Sequence, residues 1–246
     1  MAQIELARAA VEDLAENVIA QSEVGLDGRR SSVRTMETNL GNLLADALRA
    51  AGTANADEFG VTPPDVAIQN GGGIRNDSVI PAGDLTELDT FTVAPFSNFV
   101  SVVPDIPREQ FKEIVENLVS SAPSEDGRFG QISGFSFTYD TAQTAQEVDN
   151  DGNVLTPGER VRSLVLDDGT VIVDDGAVVD GPAVAIATND FSARGGYQYP
   201  FRGAPFTTVG VTYQQALAGY IVDDLGGTVS ASDYPEGGEG RIIAVG

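Results

Sequence analysis

Asn70-Gly71-Gly72-Gly73-Ile74-Arg75 joins a backbone stripped of side chains to a single guanidinium. Consecutive glycines let main-chain N–H groups come close to a ligand, and arginine offers a planar fork of donors that fits phosphate or carboxylate. Such a segment is a binding loop for something anionic. Arg29, Arg30 and Arg34 stand ahead of it and Lys112 is the one lysine, so an anion site in this chain is built from arginine. There is no histidine and no cysteine, which removes the usual proton-transfer group, zinc-ligating imidazoles and thiolate chemistry. Recognition is present in these residues; the reacting groups lie elsewhere.

Two further loops spend costly residues. Phe96 lies in Pro95-Phe96-Ser97-Asn98, and Phe191 in Ala187-Thr188-Asn189-Asp190-Phe191-Ser192-Ala193-Arg194-Gly195-Gly196. Each ring ends an apolar run beside small or polar residues, where it can project into a cleft. Two facing rings sandwich a planar base, at ~1–3 kcal/mol of stacking per base. Singly, a phenylalanine is more often core than platform, and an arginine more often pairs with a surface carboxylate. Glu37 and Asp46, considered as a catalytic carboxylate pair, flank and enter a predicted helix, where capping and solvation explain them better. Asp149-Asn150-Asp151-Gly152-Asn153 echoes a calcium loop, but the position that needs a bidentate glutamate is Arg160, so a hairpin turn is expected.

These loops must be held by ordered elements. Ile4, Leu6, Val11, Leu14, Val18 and Ile19 predict an amphipathic helix from Ile4 to about Gln21. Thr38 or Asn39 caps a second helix, striped by Leu40, Leu43, Leu44, Ala47 and Leu48 and ended by Gly52. Val66-Ala67-Ile68 reads as a buried strand that delivers the glycine loop. Further strands are expected at 91–93, 99–103, 135–139, 161–166, 171–173, 183–187 and 241–245, with helices at 108–121 and 212–225. This irregular mixture predicts layered α/β (α+β) architecture in one domain, without repeats or low-complexity tracts.

The 246 residues and 41% hydrophobic content suit a folded globule, and 14 basic against 37 acidic residues give a formal charge of −23. Such a field repels nucleic-acid polymers and anionic membranes, so neither is expected as a partner. No run approaches the ~20 apolar residues of a membrane span, and Met1-Ala2-Gln3-Ile4-Glu5 lacks the basic-then-apolar start of an export signal.

In order and spacing, Glu37-Thr38-Asn39-Leu40-Gly41-Asn42-Leu43, Asn70 to Arg75, Pro95-Phe96, Gly127-Arg128-Phe129-Gly130-Gln131-Ile132-Ser133-Gly134 and Ala187 to Phe191 resemble the C-terminal, substrate-recognition domain of the 5'-nucleotidase family. The resemblance covers nearly everything from Gly25 onward. It implies a layered α-β-β-α sandwich over residues 25–246, preceded by residues 1–24 as a linker helix. It also implies that the base stacks between Phe96 and Phe191, that Asn70 and Asn98 touch base edge or sugar, and that Gly72, Gly73 and Gly127 offer close backbone approach. Arg30, Arg34 and Arg75 would face phosphate. In that family an N-terminal metallophosphatase domain holds two divalent metal ions, so this chain resembles the recognition half alone, with no catalytic residue of its own and no activity by itself. The resemblance further implies a bacterial parent that is secreted, periplasmic or on the cell surface. One departure stands out: where the family places an aspartate for the ribose hydroxyls after the glycine pair, this chain has Tyr197. That leaves room for a related hydrolase of cyclic nucleotides, nucleotide sugars or sulfur esters. A free-standing nucleoside-binding protein is the other alternative.

Overall fold

The computed structural model describes residues 2–245. The helix Asn39–Ala54 starts where Thr38 caps it, its hydroxyl accepting the Gly41 N–H at 3.0 Å, and its leucine stripe is fully buried. Gly52 does not end this helix as expected. It lies inside, where a β-carbon would come 2.9 Å from the Pro64 ring, so the glycine permits close packing.

The strand Val66–Asn70 is buried at every position. It sits in a five-stranded sheet whose order is Thr207–Thr212, Phe99–Ile106, Val184–Asn189, Val66–Asn70 and Gly130–Ser133. Only the Val184 and Val66 strands run parallel, Ile186 lying opposite Val66. Alternation sends Ala67, Val100, Val102 and Ala187 to one face, against the leucines of Asn39–Ala54 and Tyr213 and Leu217 of the helix Tyr213–Gly219. The opposite residues, Val66, Ile68, Val103 and Ile186, share a second core with Phe111 and Ile114 of the helix Arg108–Leu118. Phe135, Phe137 and Leu164 complete that core from a second five-stranded sheet, ordered Ala177–Val178, Val171–Asp174, Val161–Leu166, Phe135–Tyr139 and Ile242–Ala244. Helices and two sheets therefore stack in layers, the α/β (α+β) class expected. A strand covered on both faces reads as a continuous apolar run, which is why Val66 to Ile68 was legible.

Other expectations change. The opening helix runs Ala2–Glu16 and not to Gln21; the side chains of Ile4 and Leu6 lie outside the described residues. Val18–Ser22 is a strand that pairs with Gly83–Thr86 and Thr228–Val229, because Ala20 and Ser22 bury at the period of a strand. Phe91 to Val93, expected as a strand, closes the helix Glu87–Val93, which a Thr86/Asp89 capping box nucleates. The helix begun at Arg108 stops at Leu118, where the Arg160 guanidinium donates to the carbonyls of Val119, Ser120 and Ala122. The expected helix 212–225 is Tyr213–Gly219 followed by a wider turn over Tyr220–Asp224.

Asp149–Asn153 is the expected turn between Glu147–Val148 and Val154–Thr156, the Asp149 carboxylate accepting the Asn153 N–H at 2.9 Å. Glu37 accepts from Asn42 Nδ2 at 2.7 Å and from the Ile242 N–H at 3.0 Å, while Asp46 pairs with Arg241 at 2.7 Å. Both carboxylates fasten the C-terminal strand to the Asn39 helix.

Candidate functional site

The parallel strands Val66–Asn70 and Val184–Asn189 end at the same edge, and their last residues, Asn70 and Asn189, meet there. Asn189 Nδ2 donates to Asn70 Oδ1 at 2.8 Å, and Gln69 Nε2 and Ser192 Oγ reach the same oxygen at 3.2 and 3.3 Å. With its oxygen taken, Asn70 lies in the wall of a cavity of about 260 Å³. Its wall brings together Asn70, Gly72, Gly73, Arg75, Phe96, Asn98, Phe191 and Tyr197 from the expected set, and adds Asn189 and Tyr213. A larger cavity of about 650 Å³, lined by Asp46, Arg49, Asp65, Asp167 and Asp168 among others, contains none of the expected residues.

Phe96 and Phe191 leave 47% and 43% of their surface exposed, a cost in water that core packing would have avoided. Both have backbones tied to their neighbours. The Phe96 N–H donates to the Tyr213 hydroxyl at 3.1 Å, and that hydroxyl donates to the Gly73 carbonyl at 3.3 Å. Burial pushes the Tyr213 phenol up to about 12, so it stays a neutral donor. Phe191 begins in the short helix Asp190–Ala193, capped by Asn189, whose Oδ1 accepts the Ser192 N–H at 2.9 Å. Its ring lies over Gly196, where a β-carbon would approach it to 2.4 Å.

The glycine loop behaves differently from its sequence expectation. Gly71 N–H donates to Phe129 O at 2.6 Å and Gly72 N–H to Gly127 O at 2.9 Å, so neither donor is free for a ligand. What these glycines provide is closeness. A β-carbon at Gly72 or Gly127 would stand 2.5 or 2.4 Å from the Tyr197 hydroxyl, and one at Gly73 2.2 Å from Gln69 Nε2. Gly127 is thus the packing surface for Tyr197 and not part of the cavity wall.

The arginines divide three ways. Arg30 forms an ion pair with Glu125, and Arg29 pairs with Asp27. Arg75 is exposed, its guanidinium carbon 5.7 Å from the centre of the Phe96 ring, within cation–π range. Arg34 is only 6% exposed and its Nε is buried without a partner. Burial and the neighbouring charges of Arg30 and Arg75 depress its pKa, a strain that an anion held between these groups would relieve. Among the described residues no group of three or more acidic side chains is placed to hold a metal ion, and no helix is long and apolar enough to cross a membrane.

Sequence reasoning passed over Tyr213 and Asn189. Tyr213 stands at the start of a predicted helix and carried no signal of its own, whereas Asn189, a cap residue directly before Phe191, could have been found from its motif.

Residues 18–202 match the family described as 5'-nucleotidase, C-terminal domain. The chain is 32% identical over 189 residues to the trifunctional nucleotide phosphoesterase protein YfkN of Bacillus subtilis, covering 77% of this chain and 11% of that protein. It is 37% identical over 118 residues to a 5'-nucleotidase of Vibrio parahaemolyticus, 48% of this chain and 19% of that one. A 5'-nucleotidase precursor from Thermus thermophilus superposes with a TM-score of 0.75 at 28% identity, over 98% of this chain and 42% of the other. The chain therefore spans less than a quarter of these curated relatives and under half of the solved one. Matched along most of its length, the chain belongs to the 5'-nucleotidase C-terminal domain family.

Proposed function

We propose that this chain is the nucleotide-recognition domain of a 5'-nucleotidase-type phosphoester hydrolase. The base lies between Phe96 and Phe191, the sugar faces Tyr197, and the phosphate is drawn to Arg34 and Arg75, with Asn70 Nδ2 and Asn98 Oδ1 available to polar edges. The observation that carries this reading is the cavity that unites two exposed phenylalanines with Arg75, beside a buried, unpartnered Arg34.

The hydrolytic step belongs to a metallophosphatase domain of the parent protein, in which two divalent metal ions would activate water and stabilise the attacking and leaving oxygens. This chain contributes no residue to that step and by itself should not release phosphate from AMP. An exported or cell-surface parent suits the family. Calorimetry with adenosine, AMP and inorganic phosphate tests the proposal. Adenosine should bind through the rings, AMP should bind more tightly, and phosphate alone should bind weakly. Failure of both adenosine and AMP to bind would refute it.

A further inference from the structure

We propose that Tyr197 makes the site indifferent to the sugar's 2'-hydroxyl, so that it accepts 2'-deoxynucleosides as readily as ribonucleosides. This rests on the base clamp proposed above.

A vicinal diol is selected most strongly by a carboxylate, which accepts from both hydroxyls at once. Among the described residues no aspartate or glutamate lines the cavity. The remaining side-chain acceptors are almost all occupied. Asn70 Oδ1 is taken by Asn189, Gln69 and Ser192, Asn189 Oδ1 caps Ser192, and the Tyr213 hydroxyl is engaged by Phe96 and Gly73. Tyr197 and Asn98 Oδ1 are left. A phenol can donate one hydrogen bond and accept another, but it cannot accept from both hydroxyls of a diol at once as the two oxygens of a carboxylate do.

Nor does the phenol swing aside. Its ring meets Phe191 edge-on, with centroids 5.5 Å apart at 80°, and its hydroxyl lies against the bare Cα positions of Gly72 and Gly127. Its backbone is left-handed at φ 52°, an arrangement a tyrosine keeps only when its surroundings hold it. They do: Asn117 Nδ2 donates to the Tyr197 carbonyl at 3.1 Å, and Gln198 Nε2 donates to Asn150 Oδ1 at 3.1 Å. The turn at Asp149–Asn153 thereby braces the residue beside Tyr197. Sites that pair with a substrate hydroxyl reject the analogue lacking it by factors of roughly 10⁴ or more, because their own polar groups go unpaired. Here no buried side-chain acceptor among the cavity residues is stranded when the 2'-hydroxyl is missing.

Calorimetric titration of the wild-type chain and the Tyr197→Asp and Tyr197→Phe variants, each with adenosine and 2'-deoxyadenosine, decides the matter. The two wild-type dissociation constants should agree within about threefold. Tyr197→Asp should shift the ratio by about tenfold or more toward adenosine, and Tyr197→Phe should leave it near the wild-type value. A wild-type preference for adenosine of about tenfold or more overturns the inference, whether or not the variants fold. An unchanged ratio in a folded, ligand-binding Tyr197→Asp also overturns it. If neither nucleoside binds the wild type, the clamp has failed and the inference fails with it, an outcome distinct from tight binding with strong ribose selection.

Discussion

Asp190 accepts a hydrogen bond from Asn98 Nδ2 at 2.8 Å, and the same oxygen accepts the Phe99 N–H at 3.1 Å. Asp190 precedes Phe191 and Asn98 lies two residues beyond Phe96, so one carboxylate fixes the backbones of both exposed rings relative to each other. Asp190 does not itself line the cavity. The spacing of the proposed clamp is thus set from behind, by a residue that never meets the ligand.

Asp190→Ala should therefore weaken adenosine binding by about 1.5 kcal/mol or more, the scale of a hydrogen bond to a charged group. Asp190→Asn keeps an acceptor and should recover much of the loss. Calorimetry on both variants beside the wild type checks this, and wild-type affinity in Asp190→Ala would show that the tether has no influence on the clamp.

Phe191→Ala should reduce adenosine affinity by at least ~1 kcal/mol through lost stacking. Because the ring is 43% exposed, the thermal midpoint should move far less than for a buried phenylalanine. Unchanged affinity would remove the sandwich.

Arg34→Met should lower AMP affinity by roughly 1.5–3 kcal/mol while leaving adenosine nearly unaffected, since charged hydrogen bonds to phosphate are lost. Stability should hold or rise, because the replacement relieves a buried guanidinium with an unpartnered Nε beside Arg30 and Arg75. Paired titrations and melting curves separate the two effects; equal losses for AMP and adenosine would place Arg34 outside the phosphate subsite.

Tyr213 predicts an alkaline limit. Its phenol is raised from 10.0 to about 12 in the folded chain, chiefly by burial. The folded state favours the neutral form, so this contribution is complete below pH 10 and is lost as pH climbs through about 12. Urea midpoints of wild type and Tyr213→Phe should converge across that window. A constant difference between them would contradict the burial effect.

Much of this was legible in residues. Val66 to Ile68 announced a strand because both its faces are buried, and Phe96 and Phe191 stood out beside small and polar neighbours. Val18 to Gln21 reads as helix because a short strand adjoining a helix continues its apolar spacing, and tertiary pairing then overrides local period. Phe91 was misread for the opposite reason: its short apolar run outweighed the Thr86/Asp89 capping box. Tyr213 was invisible because its importance comes from Phe96 and Gly73, which lie far away in the chain.

By itself the sequence determined which groups are available: arginines without histidine, glycines in a row, two aromatic loop residues, and Tyr197 after a glycine pair. Such choices are local, written in side-chain type and nearest neighbours. Only the tertiary structure decided how they are used. It bonded the Gly71 and Gly72 donors internally, packed bare Cα positions against a phenol, paired Arg30 while leaving Arg34 unpartnered, and placed Asp190 behind both rings. Hydrogen-bond partners and desolvation depend on which distant segments meet, and that is settled by packing the whole chain.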